Sequence, residues 1–162
     1  MKMTKRMIYG AIVSGVSLVL LLMLLSAAVF VSAGGVSQGI SFFDLFGWVS
    51  EIGAGGIGPF MEGLTALLAI IFLVAMIVYI ALGIVIMFVK NKSLDKYMKR
   101  AGIDLGASAV LLGIVAIIYG AVNSVDGLTV VSLGGIFYLI LGIALIVLHF
   151  VFKNKINDAL AE

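Results

Sequence analysis

Apolar positions in this chain gather into four long runs, about 7–33, 64–89, 101–122 and 132–152, and the stretches between them hold nearly all the charge. Each run reaches the length of about 20 residues that a helix needs to cross the hydrocarbon layer of a membrane. None contains a proline, and apart from tyrosines their only ionisable side chains are Asp104 and His149, each a few residues inside an end. The pattern predicts an all-α polytopic membrane protein. It would be one domain over 1–162, with four transmembrane helices in a bundle.

The segment 34–63 is neither a span nor a typical polar loop. Ser41-Phe42-Phe43-Asp44 has the form of a capping box, with Asp where Glu or Gln is usual. At helical spacing Phe42, Leu45, Phe46 and Val49 line one side, Asp44, Gly47 and Glu51 the other, and Trp48 falls near the edge. A short helix over about 41–52, lying in the outer membrane interface, is therefore expected. Gly53-Ala-Gly55-Gly-Ile-Gly58 and Pro59 would end it and return the chain to the second span.

Composition reinforces the pattern. Apolar residues make up 64% and charged residues 11%, against about 45–50% and about 25% in soluble domains. Mean hydropathy is +1.32. A soluble fold of 162 residues has too little interior to hide so much apolar surface, so the lipid bilayer is the expected surrounding.

Charge then sets the direction. Lys2, Lys5 and Arg6 precede the first run, Lys90, Lys92, Lys96, Lys99 and Arg100 join the second to the third, and Lys153 and Lys155 follow the fourth. The other two connections carry only acids, namely Asp44, Glu51 and Glu62 in one and Asp126 in the other. By the positive-inside rule both termini and the loop 90–100 are cytoplasmic, in the cell membrane. The net charge of +2 conceals this split, and no nucleic-acid partner is expected. Val31-Ser32-Ala33 before Gly34 has the look of a signal-peptide cleavage site. The first run is longer than the roughly 7–15 residues of a signal core, so it reads as an uncleaved span.

Helices in lipid associate through small residues and polar hydrogen bonds. The third run places Gly102, Gly106, Ala109, Gly113, Ala116 and Gly120 at spacings of four and three, a heptad seam, and the first repeats the idea with Gly10, Ser14 and Ser17. Such seams join helices of one chain or of several. A faint internal repeat matches Lys5-Arg6 and Ser14 to Lys99-Arg100 and Ser108, and Tyr79-Ile-Ala-Leu-Gly83 to Tyr138-Leu-Ile-Leu-Gly142.

Little in the chain points to chemistry. Gly53, Gly55 and Gly58 make a literal G-x-G-x-x-G, but a helix is expected before it and no acid lies about 20 residues on, so no nucleotide is expected there. The same glycines could line an ion path, although the stretch has no polar side chains. Asp104 and His149, four residues from Arg100 and Lys153, fall at the same depth and form a possible intramembrane polar pair. With one histidine and no cysteine, no enzyme activity, metal or cofactor is expected. The expected role is a non-enzymatic membrane subunit that assembles with itself or with other membrane proteins through the small-residue seams. The alternative is a homo-oligomeric ion channel or small transporter.

Overall fold

The computed structural model describes residues 4–33, 36–126 and 128–161; Lys2 and Gly34, used in the charge and cleavage arguments, lie outside them. The first helix, α1 (Lys5–Leu24), opens at Thr4, whose hydroxyl accepts from the Met7 N–H at 3.3 Å. It stops well before the first apolar run does. Ser26 Oγ donates to the Met23 carbonyl at 2.6 Å, and the chain continues as a strand, β1 (Ala27–Ala33). Val29, Phe30 and Val31 suit a pleated strand, and an unbroken apolar run has no period by which helix and strand can be told apart.

β1 is the middle of a three-stranded antiparallel sheet, between β2 (Val36–Ser41) and β3 (Leu128–Val131). Phe30 stands opposite Gly39 on one side and Val131 on the other. The sheet corrects the all-α expectation. It joins the long connection after α1 to the short one before the last helix.

Ser41 and Asp44 form the reciprocal box. Asp44 N–H donates to Ser41 Oγ at 3.2 Å, and Asp44 Oδ2 accepts from Ser41 N–H at 3.0 Å and Oγ–H at 2.7 Å. The box opens a 3-10 helix, Asp44–Gly53, rather than an α-helix over 41–52, and this helix packs against the next one. That next helix, α2 (Ile57–Phe88), is entered through Gly55 and Gly56 at φ 78° and 87°, a conformation that favours glycine. Pro59 sits in its first turn, where a missing N–H costs nothing.

A short helix, α3 (Lys92–Met98), is capped by Asn91, whose Oδ1 accepts from Ser93 N–H at 2.8 Å. It runs almost directly into α4 (Ala101–Asn123). The last helix, α5 (Leu133–Ala161), opens at Ser132, whose Oγ accepts from Gly135 N–H at 3.1 Å. Among the described residues four helical stretches are long and apolar enough to cross a membrane: Lys5–Leu24, Ile57–Phe88, Lys92–Asn123 and Leu133–Ala161.

The helices pair. α1 lies along α2, α4 lies along α5, and α2 against α4 joins the pairs, while α1 and α5 touch only lightly. Phe72, Met76, Ala109, Leu112 and Ala116 fill the space between them, with no exposure at all. Facing outward are Leu18, Val19, Leu22, Ile71, Val74, Ile77, Leu111, Ile114, Ile118, Ile140, Ile143 and Val147, each 42–59% exposed. Apolar surface on every helix is far more than a soluble monomer leaves in water.

Candidate functional site

The described lysines and arginines all lie where α1 and α4 begin and where α2 and α5 draw to a close, which makes this the basic end of the molecule. One of them is not at the surface. Arg6 is 4% exposed, and its guanidinium closes on four acceptors. Nε donates to the Ile86 carbonyl at 2.9 Å, Nη1 to that of Leu160 at 3.0 Å, and Nη2 to that of Val89 at 2.9 Å and to Asp95 Oδ1 at 2.6 Å. A single side chain thus ties α1 to the end of α2, to α3 and to the last turn of α5. Nearby, Tyr9 Oη donates to the Met98 carbonyl at 2.8 Å. Both side chains satisfy helix-terminal carbonyls that have no partner within their own helix.

Asp104 is shared between Tyr79 and Arg100. Its Oδ2 accepts from Tyr79 Oη at 2.5 Å, across from α2, and its Oδ1 lies 3.9 Å from Arg100 Nε. His149 is 7% exposed, its Nδ1 has no hydrogen-bond partner, and its ring meets Phe150 edge-on at 5.6 Å. No hydrogen bond or ion pair joins it to Asp104 among the described residues. The imidazole instead occupies the room left by Gly102, where an added Cβ would come 2.9 Å from the His149 Cβ and 3.2 Å from Nδ1.

The rest of the small-residue seam also faces the same chain. A Cβ added at Gly106 would lie 2.7 Å from the Gly142 carbonyl, and one at Gly113 would lie 2.6 Å from that of Gly135, so α4 and α5 approach backbone to backbone. Ala109 and Ala116 are fully buried along the same face, and Gly120 abuts the β3 carbonyl of Val130. On α1, Gly10 meets the Gly83 carbonyl of α2, and Ser14 Oγ donates to the Ile80 carbonyl at 3.0 Å. Ser17 is fully buried, with its hydroxyl unpartnered.

At the sheet end Phe42 is drawn fully inside. Its ring lies 5.6 Å from that of Tyr138, which meets Phe72 edge-on at 5.3 Å, and Tyr138 Oη donates to the Leu20 carbonyl at 3.0 Å. Phe46 and Trp48 are half-buried against the same core. Gly53 is open on all sides, Gly55 forms part of the entry turn, and Gly58 abuts the Asn123 amide. No strand leads into this glycine stretch. Asp44 is held below the usual carboxylate range, first by the hydroxyl of Ser41 and then by its backbone N–H.

Sequence reasoning missed Arg6 and its partner Asp95, having read the first as a marker of topology only. The signal was present. The buried face of α1 is Arg6, Gly10, Val13, Ser17, Leu20 and Leu24, spaced four, three, four, three and four, so Arg6 stands on the packing stripe. Among the described residues no three His, Asp or Glu side chains gather where they could hold a metal ion. Comparison with family models, curated proteins and solved structures finds no match.

Proposed function

We propose that this chain is a non-enzymatic integral protein of the cell membrane, a bundle of four spans that serves as a subunit of a membrane assembly. The basic end, with both termini and α3, faces the cytoplasm, and the sheet and 3-10 helix sit at the outer interface. The sorting of every described lysine and arginine to one end supports that orientation. The outward apolar faces support lipid as the surrounding. The observation that carries the functional reading is the filled interior. Phe42 and Phe72 both meet the Tyr138 ring across it, beside the fully buried Leu24 and Met76, while Arg6, Tyr79 and Tyr138 use their donors to fasten helices together. The small-residue seams are occupied within the chain, so contact with other chains falls to the outward faces.

The second reading, a homo-oligomeric channel or small transporter, needs a path between copies, because the interior of each copy is closed. Native mass spectrometry of the complex released gently from its own membrane tests both. Additional, different chains support the subunit reading. A whole multiple of the 17.0 kDa chain favours the channel, which ion flux through reconstituted vesicles then tests. A single copy with no companion refutes both.

A further inference from the structure

At the basic end a cleft of about 260 Å³ opens between the start of α4 and the later turns of α5. Lys99, Arg100 and Lys153 supply three positive charges around it, and Asn157 adds a polar side chain. Ile103, Phe150 and Ile156 form an apolar wall. His149 also lines it, with its Nδ1 turned to the backbone of Gly102 rather than into the cleft.

Three features give the cleft one sign. α4 begins here without a side-chain cap on its first N–H groups, and a helix N-terminus carries partial positive charge. Two acids at this end, Asp104 and Asp95, are already engaged. Asp104 receives the Tyr79 phenol on one oxygen and faces Arg100 with the other, and Asp95 is held by Arg6. An adjoining cleft shares Lys99 and Asn157 but includes Asp95 in its lining, so it is less suited to an anion. Charge alone would suit any soluble anion. The apolar wall singles out one that carries a hydrocarbon chain.

We propose that this cleft binds the phosphate group of an anionic phospholipid, with Lys99, Arg100 and Lys153 around the phosphate, His149 at the floor, and an acyl chain along Ile103 and Phe150. Basic residues at a membrane surface each favour an anionic headgroup by about fivefold, and here they converge on one site. The inference rests on the proposed membrane location, because the cleft must lie at the level of the headgroups.

The test uses the full chain purified in a neutral detergent. Retention of phosphatidic acid, phosphatidylglycerol and phosphatidylcholine is measured by native mass spectrometry, with inorganic phosphate as a separate arm. The wild-type chain should retain the two anionic lipids and not phosphatidylcholine. Lys99→Gln with Lys153→Gln should weaken retention roughly 20- to 30-fold, the product of two such contributions. Lys155→Gln removes the same charge from a residue that stacks on Phe152 outside the cleft, and should change it less than twofold. All three lysines are exposed, and unchanged helical circular dichroism checks that the variants fold.

Equal losses in Lys155→Gln and in the cleft variants would mean diffuse attraction and overturn the site. Equal retention of phosphatidylcholine would do the same. Binding of inorganic phosphate without retained lipid would overturn the assignment to a lipid. Flotation with vesicles separates the two levels of the proposal. A chain that floats but retains no anionic lipid sinks the lipid site alone, and one that does not float sinks the membrane location.

Discussion

Replacing Arg6 by Met removes the guanidinium but keeps an unbranched stem of similar length in the packing stripe. Four acceptors then lose their donor: the carbonyls of Ile86, Val89 and Leu160 and the carboxylate of Asp95. The side chains of Arg6 and Asp95 are only 5% and 18% exposed, so solvent replaces the lost partners poorly. Breaking a buried ion pair from one side costs about 3–5 kcal/mol. Each stranded carbonyl adds up to about 1–3 kcal/mol before water reaches it. Relaxation at a helix end overlaps these terms, so the ion-pair term alone, about 3–5 kcal/mol, is the expected loss. That is roughly two to nearly four powers of ten in the folding equilibrium. The assay is unfolding in mixed micelles by titration with a denaturing detergent, read through Trp48, the single tryptophan of the chain. Because Trp48 packs at the opposite end of the molecule, a shifted midpoint reports more than local fraying. Adding Asp95→Leu to Arg6→Met should restore part of the loss, since no carboxylate is left unpaired. A loss below about 1 kcal/mol, well short of what a broken buried pair costs, would refute the account of the clasp. So would effects of the two substitutions that simply add.

Other substitutions test the helix contacts and the turn outside them. Gly106→Ala should destabilise by about 1–3 kcal/mol through overpacking, because its Cβ would meet the Gly142 carbonyl. Gly15→Ala, with nothing within 4 Å of the new Cβ, should be neutral or slightly stabilising in the same unfolding assay. Tyr138→Phe removes the phenol's bond to the Leu20 carbonyl, which keeps its place in the α1 ladder, and should cost about 0.5–1.5 kcal/mol. Tyr79→Phe acts at the other end, so the double variant should show near-additive losses. Asp44 has a lowered pKa, so its contribution to the Ser41–Asp44 turn is present above the unfolded value near 4 and fades as pH falls through the folded one. Amide exchange at Ser41, followed from pH 5 downward, should fall less steeply than the intrinsic rate does, and Asp44→Asn should abolish that difference.

The four long helices were legible because length and apolarity alone identify them. So was the Ser41–Asp44 box, which is a matter of local spacing. The sheet was not, since 27–33 continues an apolar run without a period, and its pairing comes from Val36–Ser41 and from Leu128–Val131, the latter a hundred residues away. The 3-10 helix took its form from packing against α2 at Gly63, where an added Cβ would sit 2.7 Å from Ile52 N. At the basic end, spacing placed Asp104 and His149 at one depth but could not say which way each side chain turns. Gly102 admits the imidazole, and Tyr79 reaches the carboxylate from another helix. The matched tyrosines of the faint repeat both cross between helix pairs, Tyr79 to α4 and Tyr138 to α1.

The sheet has a mechanical consequence. β1 follows α1 after two residues, and β3 precedes α5 by one, so the pairing of β1 with β3 rivets the tops of two helices that scarcely touch along their lengths. Arg6 on the Leu160 carbonyl fastens the same two at the bottom. The helices α1 and α5 are therefore opposite sides of a closed frame, with Tyr138 on the Leu20 carbonyl as its crossbar. A pull on the sheet is borne by the whole frame, and the two helix pairs can part only when a joint at one end gives way.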